Sequence, residues 1–530
     1  MLTLYNAKIY TLNQVKPTAS AITIRDGKII AVGSDAQIRA EFEGRGTHLD
    51  MHSQPVIPGL IDAHIHLEHY ALGLQKVDCE TSTRQECLRR VAERLRRTPP
   101  GNWIMGHGWN QNSWSDGFGT ADELDAIAPD HPVFLTAKSL HAAWVNTAAL
   151  RLAGVTNETP DPYGGLLGRD PQGRLTGILL ESAMLLVSRV LPETSVAAVA
   201  QAFREVQPIL WQMGLTGVHD YDQRRCFSAL QELHAQGELR LRVVKGIPLE
   251  DLPHVVALGL RSGFGNDFLR IGSVKAFADG ALGPQTAAML QPYEGDLENR
   301  GMLLLDAEEL SERGRLAVEH GLSLAVHAIG DRAIHEVLNA FSNLRAYERT
   351  LTPKPKNLLR HRIEHVQVIH PNDAHRLSEL GVIASMQPIH APSDMLMADR
   401  HWGKRAALSY AWRTQLNHGA VLAFGSDAPV ESPNPFWGIH AAVTRQRLNG
   451  SPGPEGWFPE QRLTVLEAVQ GFTLGAAYAA GMEDRLGRLS PGFLADLVVL
   501  DTDPFTCPPE HIPEIKPLAT MLGGEWVFQK

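Results

Sequence analysis

Short apolar runs recur along the middle of the chain, and each closes on polar or turn residues. The first four are "VIPGLIDAHIH" (56–66), "GLTGVHDY" (214–221), "LRLRVVKGI" (239–247) and "LRIGSVKAFADG" (269–280). The later four are "LSLAVHAIGD" (322–331), "RHRIEHVQVI" (360–369), "GVIASMQP" (381–388) and "AVLAFGSDAPV" (420–430). Apolar runs of this length, bounded by turn residues, read as strands. Between them, stretches such as "AEELSERGRLAVEHG" and "NDAHRLSELG" carry helical periodicity and stop at Gly, which helices favour just past their last turn. Eight alternating units predict an α/β fold, a TIM-like (β/α)8 barrel, in which catalytic groups gather at the C-terminal ends of the strands.

The two ends of the chain read differently. "LTLYNAKIYTL" and "SAITIRDGKIIAVG" are short strands, the latter folded on an Arg-Asp-Gly-Lys turn. "FLADLVVLDTDPF" and "TMLGGEWVFQK" repeat that texture at the C-terminus. They predict one composite β-sandwich, 1–54 plus 486–530, around a barrel domain at 55–485; two unrelated β-appendages are the alternative. About 150 residues separate the first barrel strand from the second, far beyond an ordinary crossover. Segment 70–205 is therefore expected to be an inserted subdomain or lid over the barrel mouth.

Composition narrows the class without naming a reaction. A chain of 530 residues suggests roughly two to four structural units. Lys and Arg number 49 against 59 Asp and Glu, a net charge of −10, and no block of like charges stands out. That argues against nucleic acid or an anionic membrane as partner, although a small local patch would escape this test. The N-terminus lacks a basic segment followed by an apolar core, and no apolar stretch is long enough to span a bilayer. Four scattered cysteines (Cys79, Cys87, Cys226, Cys507) without a CxxC read as free thiols in a reducing cytoplasm. The expected partner is a small-molecule substrate, with self-association into a homo-oligomer left open.

Against that background the histidines matter. With 23 in 530 residues, chance supplies about one His-x-His, so "HIH" alone carries little. In an extended strand, however, His64 and His66 share a face. His327 in "LAVHAIGD", His365 in "HRIEHVQ" and Asp427 in "LAFGSDAP" each stand at the polar end of a candidate strand. Any one of them is ordinarily a hydrogen-bonded structural residue. Five at the same edge of one barrel point to a metal centre, since imidazole is the commonest protein ligand for zinc and its neighbours.

This arrangement resembles the amidohydrolase superfamily: HxH on strand 1, His on strands 5 and 6, Asp on strand 8. "PGLIDAHIH", "GSDAPV", the closing "GRLSPGFLADLVVLD" and the two-ended sandwich carry the likeness. "GHGWNQNSW", "SVKAFADGALG", "VHAIGDRAI" and "RIEHVQ" are similar to its YtcJ-like branch, amidohydrolase family three, which includes N-substituted formamide deformylases. The resemblance implies that His64, His66 and Asp427 bind one divalent ion, zinc by preference, and that His327 and His365 bind a second. Lys275, at the end of the fourth strand, would bridge the two as a carbamate formed with carbon dioxide. A surface or salt-bridged lysine is the alternative, and would leave one ion per chain. Lys245 is a weaker candidate for the bridge, and Glu181 could supply a carboxylate from the insertion instead.

The chemistry implied is hydrolysis of an amide-type C–N bond in an N-acyl or N-formyl amine, a cyclic amide or a similar small molecule. Metal lowers the pKa of bound water from 15.7 toward about 7, which makes hydroxide available for attack. Asp427 would take the proton and pass it to the leaving amine. A mononuclear deaminase of a nucleobase-like ring shares these ligands, but such enzymes usually carry Glu three residues after the strand-5 His, where this chain has Gly330. A non-catalytic binding protein is the third reading; the complete ligand set stands against it.

Further candidates are less constrained. His107 and Trp109 in "GHGWNQ", His141 in "SLHAAWVN" and Asp279 in "FADGALG" could contact substrate, each with a structural role as the alternative. Asp331 could orient His327. His219 and Asp220 could hydrogen-bond near the centre without ligating. His69 falls beyond the strand and is expected in a loop near the mouth.

Overall fold

The structure is a computed structural model that describes residues 1–530 other than 112, 113, 138–141, 164, 284 and 353–357. The chain forms two compact units, Met1–His69 with Phe203–Lys530, and Tyr70–Ala202. In the first, the eight apolar runs become the strands of one parallel sheet. They are β1 (Leu60–Ile65), β2 (Leu215–Asp220), β3 (Arg242–Pro248) and β4 (Leu269–Phe277). The remaining four are β5 (Leu324–Ala328), β6 (Arg362–His365), β7 (Ile383–Met386) and β8 (Leu422–Phe424). Each pairs with its neighbours in sequence, so the spatial order is β1 to β8, as the (β/α)8 reading expects.

Most of the strands are shorter than the apolar runs, and the differences have causes. The run 56–66 splits, because Pro55–Pro58 is a strand of another sheet and pairs antiparallel with Leu497–Leu500. At the far ends the chain turns away from the barrel abruptly. His365, Val366 and Asp427 have φ of 76°, 45° and 60°, a left-handed backbone that only a well-packed surrounding holds for side chains of this kind. Helices follow the same rule of local fit. "AEELSERGRLAVEHG" forms Ala307–Glu319, started by Asp306, whose carboxylate accepts from the Glu309 N–H. "NDAHRLSELG" yields only a short turn and the single helical turn Arg376–Glu379.

No strand ladder joins β8 to β1 among the described residues; individual hydrogen bonds close the barrel instead. The Asp427 N–H donates to His64 O at 2.7 Å, and the His66 N–H donates to Ala428 O at 2.9 Å. Asp62 adds a side-chain clasp, accepting from the backbone N–H groups of His64 and Ser426, both at 3.0 Å, and from the Ser426 hydroxyl at 2.5 Å. Gly425 permits this approach, since a Cβ there would lie 2.4 Å from His64 N. His64, His66 and Asp427 are thus held by the seam itself.

Two further sheets bring the termini together. The N-terminal strands Leu2–Tyr5, Ala21–Arg25, Lys28–Gly33 and Thr47–Asp50 form one. Its hairpin turns on Asp26 and Gly27, both at positive φ, as a two-residue turn of this hand requires. The other mixes both ends, with Lys8–Tyr10 and Pro55–Pro58 beside Leu497–Leu500, Pro517–Leu522 and Glu525–Gln529. Leu4, Ile22 and Ile29 from the first share a core with Val56, Leu497 and Met521 from the second.

The unit Tyr70–Ala202 has its own six-stranded sheet, from Val77–Asp78 at one edge to Gly165–Arg169 at the other. Trp109, Trp114, Trp144, Cys79 and Cys87 lie at its centre. All four cysteines are free thiols. No helix among the described residues is long and apolar enough to cross a membrane.

Candidate metal centre

The C-terminal edge of the barrel gathers imidazoles around one carboxylate. His64 and His66 leave β1 on one face, and the Nε2 atoms of both lie 3.5 Å from Asp427 Oδ1. The other nitrogen of each ring is already committed. His64 Nδ1 donates to Glu364 Oε2 at 2.6 Å, and His66 Nδ1 donates to Asp222 Oδ1 at 2.9 Å. Pinning one nitrogen to a carboxylate fixes the tautomer and leaves the Nε2 lone pairs aimed at a common point. His64 Nε2 is also buried without a hydrogen-bond partner among the described residues. An orphaned inward-facing lone pair beside a second imidazole and a carboxylate is the donor set a divalent cation takes, so these residues fit a metal.

His365 repeats the device with an amide: its Nδ1 donates to Gln387 Oε1 at 2.8 Å. His327 uses the opposite nitrogen, Nε2 donating to Gly280 O at 2.9 Å, which leaves Nδ1 for a ligand. The two rings lie 4.6 Å apart and nearly perpendicular, so their in-plane lone pairs can converge. Ligand atoms of His64, His66 and Asp427 fall within 4.8 Å of one another, and those of His365, His390 and Asp427 do so as well. Asp427 is common to both sets.

Burial governs the charges. It drives the His64 and His365 imidazoles well below their ordinary value, and His327 to about 4, with the Lys275 charge adding to it in each case. All three are therefore neutral at pH 7, the form that ligates. Burial holds the Asp427 carboxyl above the usual carboxylate range, opposed by His390, His66 and Lys275. Lys275 is 4% exposed, and burial pushes its ammonium down to about 8. Its Nζ sits 4.7 Å from the ring of Tyr221, which in turn packs 4.7 Å from His64. No carboxylate lies within ion-pair distance of it among the described residues.

Lys245 is the opposite case. Asp220 lies 3.0 Å from its Nζ, which also donates to the carbonyls of Asp222 and Gly246. Burial alone would lower its pKa, but Asp220 raises it above the ordinary value, so this lysine stays charged and is not the bridging candidate.

The remaining candidates take the following places. Trp109 is wholly buried in the core of its unit, with its indole N–H donating to Leu135 O at 2.8 Å; it packs rather than presents a substrate contact. His107 stands in the same sheet with Nδ1 and Thr136 Oγ1 2.8 Å apart. Asp279 is not free for substrate either, because its carboxylate accepts from the backbone N–H groups of Ala288, Ile329 and Gly330 at 2.8–3.0 Å. Asp331 accepts from the Leu290 N–H at 2.7 Å rather than orienting His327. His69 lies in the helix Leu67–Leu74, not in a loop, and its Nδ1 donates to Asp222 at 2.6 Å. His141 and the Glu181 side chain fall outside the described residues.

The residues sequence reasoning missed are mostly those that hold the imidazoles. Glu364 is gripped by Arg362, whose Nε donates to it at 2.5 Å and whose guanidinium also reaches Ala63 O, Ser385 and His219. Burial would raise the Glu364 carboxyl, but Arg362 and Lys275 keep it below its ordinary value. Asp222 takes both His66 and His69 and the backbone N–H of Glu68, and those two imidazoles hold its carboxyl low against its burial. Asp222→Asn is expected to weaken metal binding by about 10–100-fold, because one of its two acceptor oxygens becomes a donor. Competition with a coloured chelator measures it, and affinity within twofold of wild type would deny Asp222 that role.

A parallel barrel with this imidazole and carboxylate set at its C-terminal edge defines a metal-dependent hydrolase scaffold. The comparisons sharpen that class. The amidohydrolase family profile matches residues 50–528, and the chain belongs to the amidohydrolase family. It is similar to YtcJ of Bacillus subtilis (strain 168), 32% identical with 98% of each chain covered. The N-substituted formamide deformylase of Arthrobacter pascens is 28% identical, with 100% of this chain and 98% of that one aligned. A solved metal-dependent hydrolase from Pyrococcus furiosus, itself uncharacterized, superposes with a TM-score of 0.78 at 29% identity, covering 95% of this chain and all of that one. The protein is a hydrolase of carbon–nitrogen bonds that depends on a divalent metal.

Proposed function

We propose that the protein hydrolyses the amide-type C–N bond of a small N-acyl or N-formyl amine, a cyclic amide or a related compound. The observation that carries this reading is the convergence of His64 and His66 on Asp427, with the far nitrogen of each ring anchored. The full-length likeness to an N-substituted formamide deformylase supports an N-formyl or N-acyl amine as substrate class. Zinc is the preferred ion, given neutral imidazoles and one carboxylate. When bound, it supplies Lewis-acid polarisation of the scissile carbonyl and a water acidic enough to ionise near neutral pH.

The chain's own residues do the rest. His64 and His66, and beside them His365 and His327, would hold metal through the nitrogens their partners leave free. An Asp427 carboxylate oxygen accepts the proton of the attacking water and returns it to the leaving nitrogen. Lys275 would supply oxygen ligands as a carbamate: its deprotonated amine adds to carbon dioxide, forming an N–C bond while one C=O becomes the carbamate C–O⁻, and releases a proton. The deaminase reading finds no support at Gly330, where a Cβ would lie 2.0 Å from Ala288 O and a glutamate has no room.

Dialysis against a chelator is expected to abolish hydrolysis of N-formyl and N-acyl amines, and zinc to restore it. Elemental analysis then counts ions per chain. A protein that holds no metal after expression in zinc-supplemented medium, and that hydrolyses none of these amides, would contradict the proposal.

A further inference from the structure

His390 belongs to this edge of the barrel but not to the ligand set already assigned. It opens the helix His390–Trp402 just after β7 and is 5% exposed. One of its ring nitrogens falls within 4.8 Å of a nitrogen of His365 and an oxygen of Asp427. Its Nε2 lies 3.2 Å from the Ser426 carbonyl oxygen. A carbonyl only accepts, so Nε2 carries the proton and, in the neutral ring, Nδ1 keeps a lone pair. Nδ1 has no partner among the described residues, and unlike His64 Nε2 it is not sealed from solvent.

Three roles compete for that nitrogen. The first is a ligand to a second ion, and ring orientation disfavours it. An imidazole lone pair lies in the ring plane, so two ligands of one ion need planes that meet at it. The His64 and His66 planes cross at 66° and those of His327 and His365 at 68°. His390 lies against His365 with ring planes 14° apart and centroids 6.4 Å apart, so these two rings do not cross as the other pairs do. The second role is packing. It gives no protein partner to an acceptor that solvent can reach at this edge of the barrel. The third is contact with the reacting molecule.

We infer that His390 recognises substrate, with Nδ1 accepting a hydrogen bond from the N–H of a secondary amide. The protein would accordingly select N-monosubstituted amides over N,N-disubstituted ones. This rests on the amide-hydrolase reading above. The placement follows from the reaction: Asp427 must reach the leaving nitrogen to return a proton to it. That nitrogen is bonded directly to the attacked carbon, about 1.33 Å away. A ring with a nitrogen within 4.8 Å of an Asp427 oxygen is therefore near the amide nitrogen rather than a remote part of the substrate.

The test compares formanilide with N-methylformanilide on the zinc-loaded protein, taking the ratio of their kcat/KM values. Wild type is expected to prefer formanilide, and His390→Leu to lower that preference about tenfold with zinc per chain unchanged. His390→Asn, whose Oδ1 can take the place of Nδ1, should retain most of it. His390→Gln places its amide nearer Ser426, leaves no acceptor at the Nδ1 position and should lose it; this pair decides the matter even if the leucine variant fails to fold. An unchanged ratio in both His390→Leu and His390→Gln overturns the inference, whatever happens to thermal stability. Loss of a zinc ion in these variants overturns it too, in favour of a ligand role. A wild type inactive on both amides overturns the assigned reaction and this inference together, whereas an active wild type with an unaltered ratio removes the inference alone.

Discussion

Asp427→Asn is expected to fold and to lose about a hundred- to ten-thousandfold in kcat/KM, the range that a positioned proton-transfer group contributes. Two features make the substitution clean. Asp427 has φ of 60°, and Asn tolerates that left-handed backbone as well as Asp does, whereas most other residues would add strain. The closure of the barrel at this point runs through the Asp427 backbone N–H to His64 O, which any side chain keeps. The change is confined to the carboxylate facing His64 and His66. Asn can neither accept a proton at neutral pH nor offer the ion a negative charge, so both turnover and the first ion's affinity should fall. Circular dichroism and a melting curve within a few degrees of wild type would show the fold intact. Activity within tenfold of wild type would remove Asp427 from the chemistry.

Lys275→Ala is the second large effect, and Lys245 is its internal control. With its ammonium pushed down to about 8, roughly a tenth of Lys275 is the free amine at pH 7, enough to react with carbon dioxide. Removing it orphans no carboxylate, so the cost to folding is the loss of a buried alkyl chain. The expected result is a soluble protein with fewer ions per chain, activity down by about a hundredfold or more, and partial rescue by a short carboxylic acid that replaces the bridging oxygens. Metal content and activity equal to wild type would exclude the bridge. Lys245→Ala should behave otherwise. It strands the buried Asp220 carboxylate, so about 3–5 kcal/mol of stability is expected to go, read directly in the melting curve.

Much of this was legible before any coordinates, for a local reason. A buried parallel strand must be apolar along its length, and the residue where it meets solvent is free to be polar. Eight apolar runs with His64, His66, His327, His365 and Asp427 at their ends therefore announce both the barrel and the edge that carries the site. The turn at Asp26 and Gly27 is readable on the same basis, because a two-residue hairpin demands positive φ at both positions.

Partners chosen across the barrel were not legible. His64 meets Glu364 300 residues away, and His66 meets Asp222 156 residues away. Nothing in "RIEH" says whether Glu364 faces Arg362, a ligand or solvent. Trp109 illustrates the converse error, since an aromatic beside a histidine reads as pocket lining until packing shows it enclosed by Trp114 and Leu135. Both lysines stand at strand ends in sequence, yet Asp220 holds one charged and burial lowers the other. By itself the sequence determined the strands, their order and the imidazoles and carboxylate at their ends, because these follow from hydrophobic period and from residue chemistry at strand ends. Only the tertiary structure decided which nitrogen of each histidine is free, which lysine an aspartate holds charged and that His390 lies beside His365 and Asp427. Those depend on burial and on hydrogen bonds between strands that meet only when the barrel closes.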